Sequence, residues 1–326
     1  MKRFAWALAL SFFVVGAAWT PFAALAQQAE KIPRIGWLQG APSTNPIYAG
    51  FRQGLSELGY VEGKNVEILI RSANGNFDRF PELLKQLLDS KVDMLLVGGD
   101  QGLRAAKEAT STVPILVVVC DSLDSLVASI NRPGGKATGL TCLSSEITGK
   151  RLQLLKEIVP DVSKVAVLYN PEDQNKPGEL RQMRDAAQKL GVRLSTFEAR
   201  TTEAIDKAFV EISDDHAQAL VILADALMVT NEKKLGELTL KYKLPAIYGF
   251  RGFADAGGLV AYGSSLHETY RRAATYADKI VHGTDPGELP IEQPTRFELL
   301  INLKTAKAFG LTIPPSVLSL SDEVIE

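Results

Sequence analysis

Gln39, Ser43, Asp100, Gln101 and Asp121 stand in short polar segments that each follow an apolar run: Gln39-Gly40-Ala41-Pro42-Ser43-Thr44-Asn45, Gly98-Gly99-Asp100-Gln101-Gly102 and Asp121-Ser122-Leu123-Asp124. Further along, Asn170-Pro171-Glu172-Asp173-Gln174-Asn175, Asp225-Ala226 and Gly249-Phe250-Arg251-Gly252 repeat the arrangement. A mixture of amides, hydroxyls and carboxylates suits hydrogen bonding to a small polar or amphipathic molecule, which makes this a binding inventory more than a catalytic one. Each Asp or Ser also fits the N-cap of the helix that follows, Ser43, Ser122 and Asp225 most directly, whereas Asp100 and Asp121 come straight after strands and should project into a cleft. Tyr248, Phe250 and Tyr262 lie near the ends of apolar runs, where a ring can stack on a ligand or pack between layers. Arg251 offers either a carboxylate clamp or a surface ion pair.

Enzyme signatures are weak. Gly98-Gly99-Asp100-Gln101-Gly102 matches neither the dinucleotide fingerprint nor the phosphate loop with its Lys-Ser/Thr ending, and no G-x-S-x-G occurs. His267 beside Ser264, Ser265 and Glu268 reads as a helix start, and Asp214-Asp215-His216 as a helix end facing water. Two cysteines and three scattered histidines, His216, His267 and His282, lack the short spacings of a metal site, so neither metal nor cofactor is expected. Cys120 ends the run from Pro114 and Cys142 the run from Ala137; if those runs are neighbouring strands the two can form a disulfide, and otherwise they are buried thiols.

The elements that must carry these loops follow a regular alternation. Apolar runs at 34–38, 65–71, 92–98, 114–120 and 137–143 are separated by segments of helical period at 48–58, 80–90, 103–110 and 123–130. The series starts again with helix 149–158, then strands at 164–169, 192–198, 219–224, 246–248 and 259–262 alternating with helices at 179–190, 203–212 and 232–242. Helix 266–281, a turn at 283–286, strands at 289–292 and 297–301 and helix 303–309 complete it. The fold class is therefore α/β: two doubly wound parallel-sheet lobes with an interlobe cleft, joined without a Pro/Gly/Ser linker. At 326 residues there is length for both, and 23% charged and 46% hydrophobic residues describe an ordinary globular chain. With a formal charge of -2 there is no field to draw nucleic acid or an anionic membrane.

The N-terminus follows a secretory grammar: Lys2 and Arg3, an apolar stretch from Phe4 to Ala18, a break at Pro21, and the small-residue site Ala24-Leu25-Ala26. Residues 1–26 are expected to be a signal peptide cleaved after Ala26, since the apolar run is shorter than the roughly 20 residues a spanning helix prefers. The mature chain should be exported, with no membrane span.

Several ordered motifs carry a resemblance over residues 32–326: Phe51-Arg52-Gln53-Gly54-Leu55 with Leu58-Gly59-Tyr60-Val61-Glu62-Gly63, Arg132-Pro133-Gly134-Gly135 with Thr138-Gly139-Leu140, and Gly149-Lys150-Arg151-Leu152 with Leu154-Leu155-Lys156-Glu157. They continue in Leu244-Pro245-Ala246-Ile247-Tyr248, Ala256-Gly257-Gly258-Leu259 and Ile301-Asn302-Leu303-Lys304-Thr305-Ala306-Lys307. The chain resembles the ABC-transporter substrate-binding protein family that includes tryptophan/tyrosine-type uptake receptors. The resemblance implies a type I periplasmic-binding-protein fold that closes on a small solute and delivers it to a membrane permease. It also implies three crossings between lobes, near Ser144, Tyr262 and Glu288. Residues 32–144 with 263–288 would form one lobe, and 145–262 with 289–326 the other. The expected ligand contacts are Gln39, Ser43, Asp100, Gln101 and Asp121 from the first lobe and Asn170, Asp225, Tyr248 and Tyr262 from the second. Relatives often carry Gly-Asp-Pro where this chain has Cys120-Asp121-Ser122, so the solute is an amino acid, an aromatic acid or a related metabolite. A periplasmic, monomeric, non-enzymatic receptor is expected; the alternative is a sensor that presents its closed form to a membrane receptor or kinase.

Overall fold

Runs such as Met94–Val97 and Ile115–Val119 are apolar at every position, the signature of strands covered on both faces, and each proves fully buried. The computed structural model describes residues 31–40, 48–120, 129–143, 146–173 and 176–326. The expected leader, Ser43, Asp121, the crossing at Ser144 and most of the helix expected at 123–130 lie outside the described residues.

In the first lobe, strands β1 (Arg34–Gln39), β2 (Glu67–Ser72), β3 (Met94–Gly98), β4 (Ile115–Val119) and β5 (Ala137–Thr141) form a parallel sheet in the order β2-β1-β3-β4-β5. Helices α1 (Ala49–Glu57), α2 (Phe80–Asp89) and α3 (Gly99–Ala109) follow β1, β2 and β3. Helix α2 buries Phe80, Leu83, Leu84 and Leu87, a stripe at helical spacing, against the sheet.

The second lobe holds α4 (Thr148–Ile158), β6 (Lys164–Tyr169), α5 (Lys176–Leu190), β7 (Arg193–Glu198), α6 (Thr202–Asp214), β8 (Ala219–Ile222), α7 (Ala226–Thr230), α8 (Glu232–Lys241), β9 (Ala246–Tyr248), α9 (Arg251–Asp255) and β10 (Val260–Gly263). After α10 (Leu266–Val281) come β11 (Glu298–Asn302), α11 (Leu303–Ala308), α12 (Pro315–Leu318) and β12 (Glu323–Ile325). The seven-stranded sheet runs β12-β11-β10-β9-β8-β6-β7, parallel except where β10 meets β11. Helices α7, α9 and α12 and strand β12 are too short for periodicity to reveal.

Helix α10 packs along α1 in the first lobe. Gly50 and Gly54 make that contact: a Cβ at Gly50 would overlap the carbonyl oxygen of His267, and one at Gly54 that of Arg271. Two helix backbones meet there with no side chain between them. Gly54 is a member of the first family-like motif, and this packing is its physical reason.

One expected crossing moves. Leu289–Glu292 was expected to open the second lobe's last segment, but it runs beside β5: Thr141 donates its N–H to Glu292 at 2.9 Å and Glu292 donates to Gly139 at 3.0 Å. Leu289 and Ile291 are buried in the two clusters that flank the first sheet. Their alternation with polar neighbours fits the exposed edge of β5, so the chain leaves the first lobe after Glu292 rather than at Glu288.

Candidate functional site

In open α/β sheets a ligand sits beyond the carboxyl ends of the strands, where the winding reverses. The first sheet reverses between β1 and β3 and the second between β6 and β8. The segments leaving those four strands are Gly40, Gly98–Gln101, Asn170–Asp173 and Leu223–Ala226, which carry much of the polar inventory read from the sequence. A cavity of about 60 Å³ lies between them.

Gly40, Gly98, Gly99, Asp100, Gln101, Val118 and Cys120 line one wall and Asp173, Asp225, Ala226, Val229 and Thr230 the other, with Tyr48, Leu266 and Tyr270 adding apolar surface. The lobes meet across it. Gly99 approaches the side chain of Ala226, and Phe77 packs against core residues of both lobes.

Helix α3 begins at Gly99, not at Leu103, because Gly99 takes φ +72 and turns the chain from β3 straight into the helix. Asp100 and Gln101 therefore sit in its first turn, where the backbone N–H groups have no intrahelical acceptor. Asp100 is nearly buried, 3.4 Å from Arg104. Gln39, at the end of β1, is 1% exposed, and neither atom of its amide has a hydrogen-bond partner among the described residues; Gln101 Oε1 has none either. Of the two, Gln101 lines the cavity, and Gln39 directly precedes Gly40, which also lines it; a buried polar atom without a partner marks a place where a ligand can supply one.

On the facing wall Asp225 caps α7, accepting from the Met228 N–H at 2.7 Å and from Asn170 Nδ2 at 2.6 Å. Asp225 is thus a helix cap that also lines the cavity. Asn170 is 1% exposed and acts on the cavity through Asp225. Burial pushes the Asp225 carboxyl up to about 6, against the pull of Lys176 and of these hydrogen bonds. Lys176 is fully buried, 3.0 Å from both Asp173 and Glu179, and donates to the Ala224 carbonyl at 2.7 Å. Three carboxylates thus surround one ammonium, and the surplus negative charge faces the cavity at Asp173 and Asp225.

Other candidates fall elsewhere. Tyr248 is fully buried behind the wall, edge-on to Phe250 and Phe253, and its hydroxyl has no partner among the described residues. Burial, Glu232 and Asp225 hold that phenol well above its usual range. Tyr262 lies on the opposite face of the second sheet with Val260, against Phe297, and does not line the cavity; the pleat of β10 turns it away. Arg251 is no clamp for a solute carboxylate: it grips Glu323 through both Nη atoms, at 2.5 and 2.8 Å, and reaches Asp255 at 3.0 Å. Ser265 caps α10 by accepting from Glu268 at 3.3 Å, as its sequence setting implies.

The sequence reading missed Tyr48, Tyr270, Asp173 and Lys176. It also missed the role of Arg151, a buried guanidinium in a family-like motif, whose Nε donates to the Tyr262 carbonyl at 2.8 Å and ties α4 to the end of β10. Cys120 and Cys142 end adjacent strands with their sulfurs 3.1 Å apart, both as thiols. Among the described residues no metal-holding cluster occurs and no helix is long and apolar enough to cross a membrane.

The chain is similar to the tyrosine-binding protein of Clostridioides difficile (strain R20291), 24% identical over 284 residues that cover 86% of this chain and 81% of that one. Its fold matches the ABC domain in complex with L-Trp from Streptococcus pneumonia with a TM-score of 0.82, at 24% identity over 90% of this chain and 99% of the other. Against the ligand-free, open structure of a substrate binding protein with adhesive properties from Clostridium difficile the TM-score is 0.62, at 21% identity over 90% and 99% of the two chains. The family described as ABC transporter substrate binding protein matches residues 38–325. That match spans both sheets and every described residue of the cavity, and the chain belongs to this family of solute-binding proteins, which are not enzymes.

Proposed function

We propose that the chain is the solute-binding component of an ABC import system, exported by cleavage after Ala26, which closes on an amino acid with an apolar or aromatic side chain and delivers it to a membrane permease. The observation that carries this reading is the polarity of the cavity. One wall presents the first-turn N–H groups of α3, suited to a carboxylate, beside Asp100 and the Gln101 side chain. The other presents a surplus of buried negative charge at Asp225 and Asp173, suited to an ammonium. Tyr48, Leu266 and Tyr270 leave an apolar surface beside both for the side chain. The printed ligands of the relatives, tyrosine and L-Trp, belong to this chemical class.

Closure supports the same reading. At comparable identity the fold lies nearer the L-Trp complex than the open, ligand-free structure, and contacts such as Gly99 on Ala226 exist only with the lobes together. A solute that touches both walls favours the closed form by its differential affinity.

The test is a thermal-shift screen of the chain from Gln27 onward, refolded to remove any co-purified solute, against amino acids, aromatic acids, sugars and purines. At 100 times its dissociation constant a solute stabilises by about 2.7 kcal/mol, a shift of several degrees. Hits confined to zwitterions with apolar side chains support the assignment; hits among sugars or purines alone, or none, overturn it.

A further inference from the structure

We propose that Cys120 and Cys142 are a redox pair built into the wall of the solute cavity, oxidised to a disulfide by thiol–disulfide exchange, and that solute binding and oxidation oppose one another. The pairing itself is geometric. Val119 and Thr141 are register partners on neighbouring parallel strands, so the two residues that follow them continue side by side at roughly the 4.8 Å strand spacing, inside the Cα range a disulfide needs. Cys142 donates its N–H to the Val119 carbonyl at 2.8 Å, which locks that register to its last residue. The sulfurs already touch at 3.1 Å.

The two sulfurs differ in access, and this fixes the order of events. Cys120 lines the solute cavity, whereas Cys142 is completely buried among core residues of the second lobe. The oxidant is a disulfide delivered from solution, small enough to enter the cavity or presented by an exchange protein when the lobes part. The Cys120 thiolate attacks one of its sulfurs, forming a mixed disulfide and expelling the other sulfur as a thiolate. The Cys142 thiolate then attacks Cys120 Sγ, forming the Cys120–Cys142 bond and releasing the second thiol. Two S–H bonds on the protein are exchanged for one S–S bond, and both electrons and both protons end on the reduced oxidant.

Because the entry sulfur is part of the solute's own surface, a bound solute shields it. Shielding slows the reaction; the bond also reshapes the wall that the solute touches, and to the extent that this disfavours the disulfide at equilibrium, linkage makes oxidation lower solute affinity by the same factor. The backbone carbonyl of Cys142 also accepts a hydrogen bond from Ser264 Oγ at 3.2 Å, in the segment that passes between β10 and α10. The bond therefore staples the cavity wall to a connection between the lobes. The functional half of this inference rests on the solute-receptor reading; the pairing does not.

The experiment takes the purified chain, reduced and then incubated with oxidised glutathione, and counts N-ethylmaleimide adducts by mass before and after denaturation. The expected result is no adduct on the oxidised chain, two after reduction, and a linked peptide pair containing residues 120 and 142. On the reduced native chain Cys120 should react and Cys142 should not, an assignment that Cys120→Ser and Cys142→Ser make independently. A saturating hit from the solute screen should slow modification of Cys120 by about tenfold or more. Two thiols still titrating after glutathione treatment overturn the pairing, whatever the fate of the receptor reading. A disulfide that forms at the same rate with and without solute, and leaves solute affinity unchanged, overturns the opposition between oxidation and binding alone.

Discussion

Asn170 Nδ2 donates to Asp225 Oδ2 at 2.6 Å, joining the loops that leave β6 and β8 across the point where the second sheet reverses its winding. The other Asp225 oxygen is held by the Met228 N–H. A carboxylate fixed at both oxygens cannot swing toward a solute, so it offers a charge at a set position and the solute must bring its cation there. That is preorganisation, and it places the cost of burying the charge in folding rather than in binding.

Solute affinity should depend on pH through Asp225, whose carboxyl is raised to about 6 by burial. Its folded value lies above the ordinary 3.8, so the empty protein is favoured by low pH and loses that contribution as pH rises through about 6. An ammonium needs the ionised form. Calorimetric titrations should therefore show affinity level above pH 7 and falling by up to about tenfold per pH unit below 6, with the slope absent in Asp225→Asn, whose affinity is low throughout.

Gln39→Leu separates folding from binding. Among the described residues the native amide is buried without partners, so an apolar replacement of similar size should stabilise the empty protein by about 1–2 kcal/mol while costing tenfold or more in solute affinity. Melting curves with and without solute read both effects. A variant less stable than wild type when empty would mean that the amide is satisfied by protein and has no ligand to meet.

Lys176→Met should be among the most damaging single changes outside the apolar core. It leaves Asp173 and Glu179 buried without their shared cation and is expected to cost about 3–5 kcal/mol in denaturant unfolding, with acid partly restoring stability as those carboxylates take up protons.

Glu232 provides a contrast. It is 7% exposed, its Oε1 has no partner among the described residues, and burial, helped by Asp255, pushes its carboxyl up to about 8. Protonation is therefore retained in the folded state, and stability should decline as pH rises from about 4.5 through 8. Glu232→Gln cannot ionise, so its stability should lack that decline and exceed wild type at pH 8.5 by a few kcal/mol. Parallel curves for the two proteins across this range would place Glu232 in water.

The sheets were legible because strands covered on both faces have no alternation to hide; the runs at 94–97, 115–119 and 165–168 can be little else. The loops at the winding reversals followed from topology, which is why the sequence points to Asp100, Gln101 and Asp225, all of which line the cavity. Tyr262 was misplaced because one residue of pleat decides which face of β10 it occupies, and nothing local sets that parity. Tyr270 stayed hidden for another reason: it belongs to a helix that returns to the first lobe from far along the chain, and its stripe reads as ordinary core. Lys176 was lost in a polar stretch that looks like loop until α5 is seen to begin there, three residues before the expected Glu179.

The contact between Gly50, Gly54 and α10 has a bearing on how the molecule comes into being. The surface that covers Phe51 and Leu55 is supplied by residues more than 200 positions later. As the chain emerges from the ribosome, the lobe made first therefore cannot be finished first. It waits with an open apolar flank until the second lobe has been threaded through and α10 comes back.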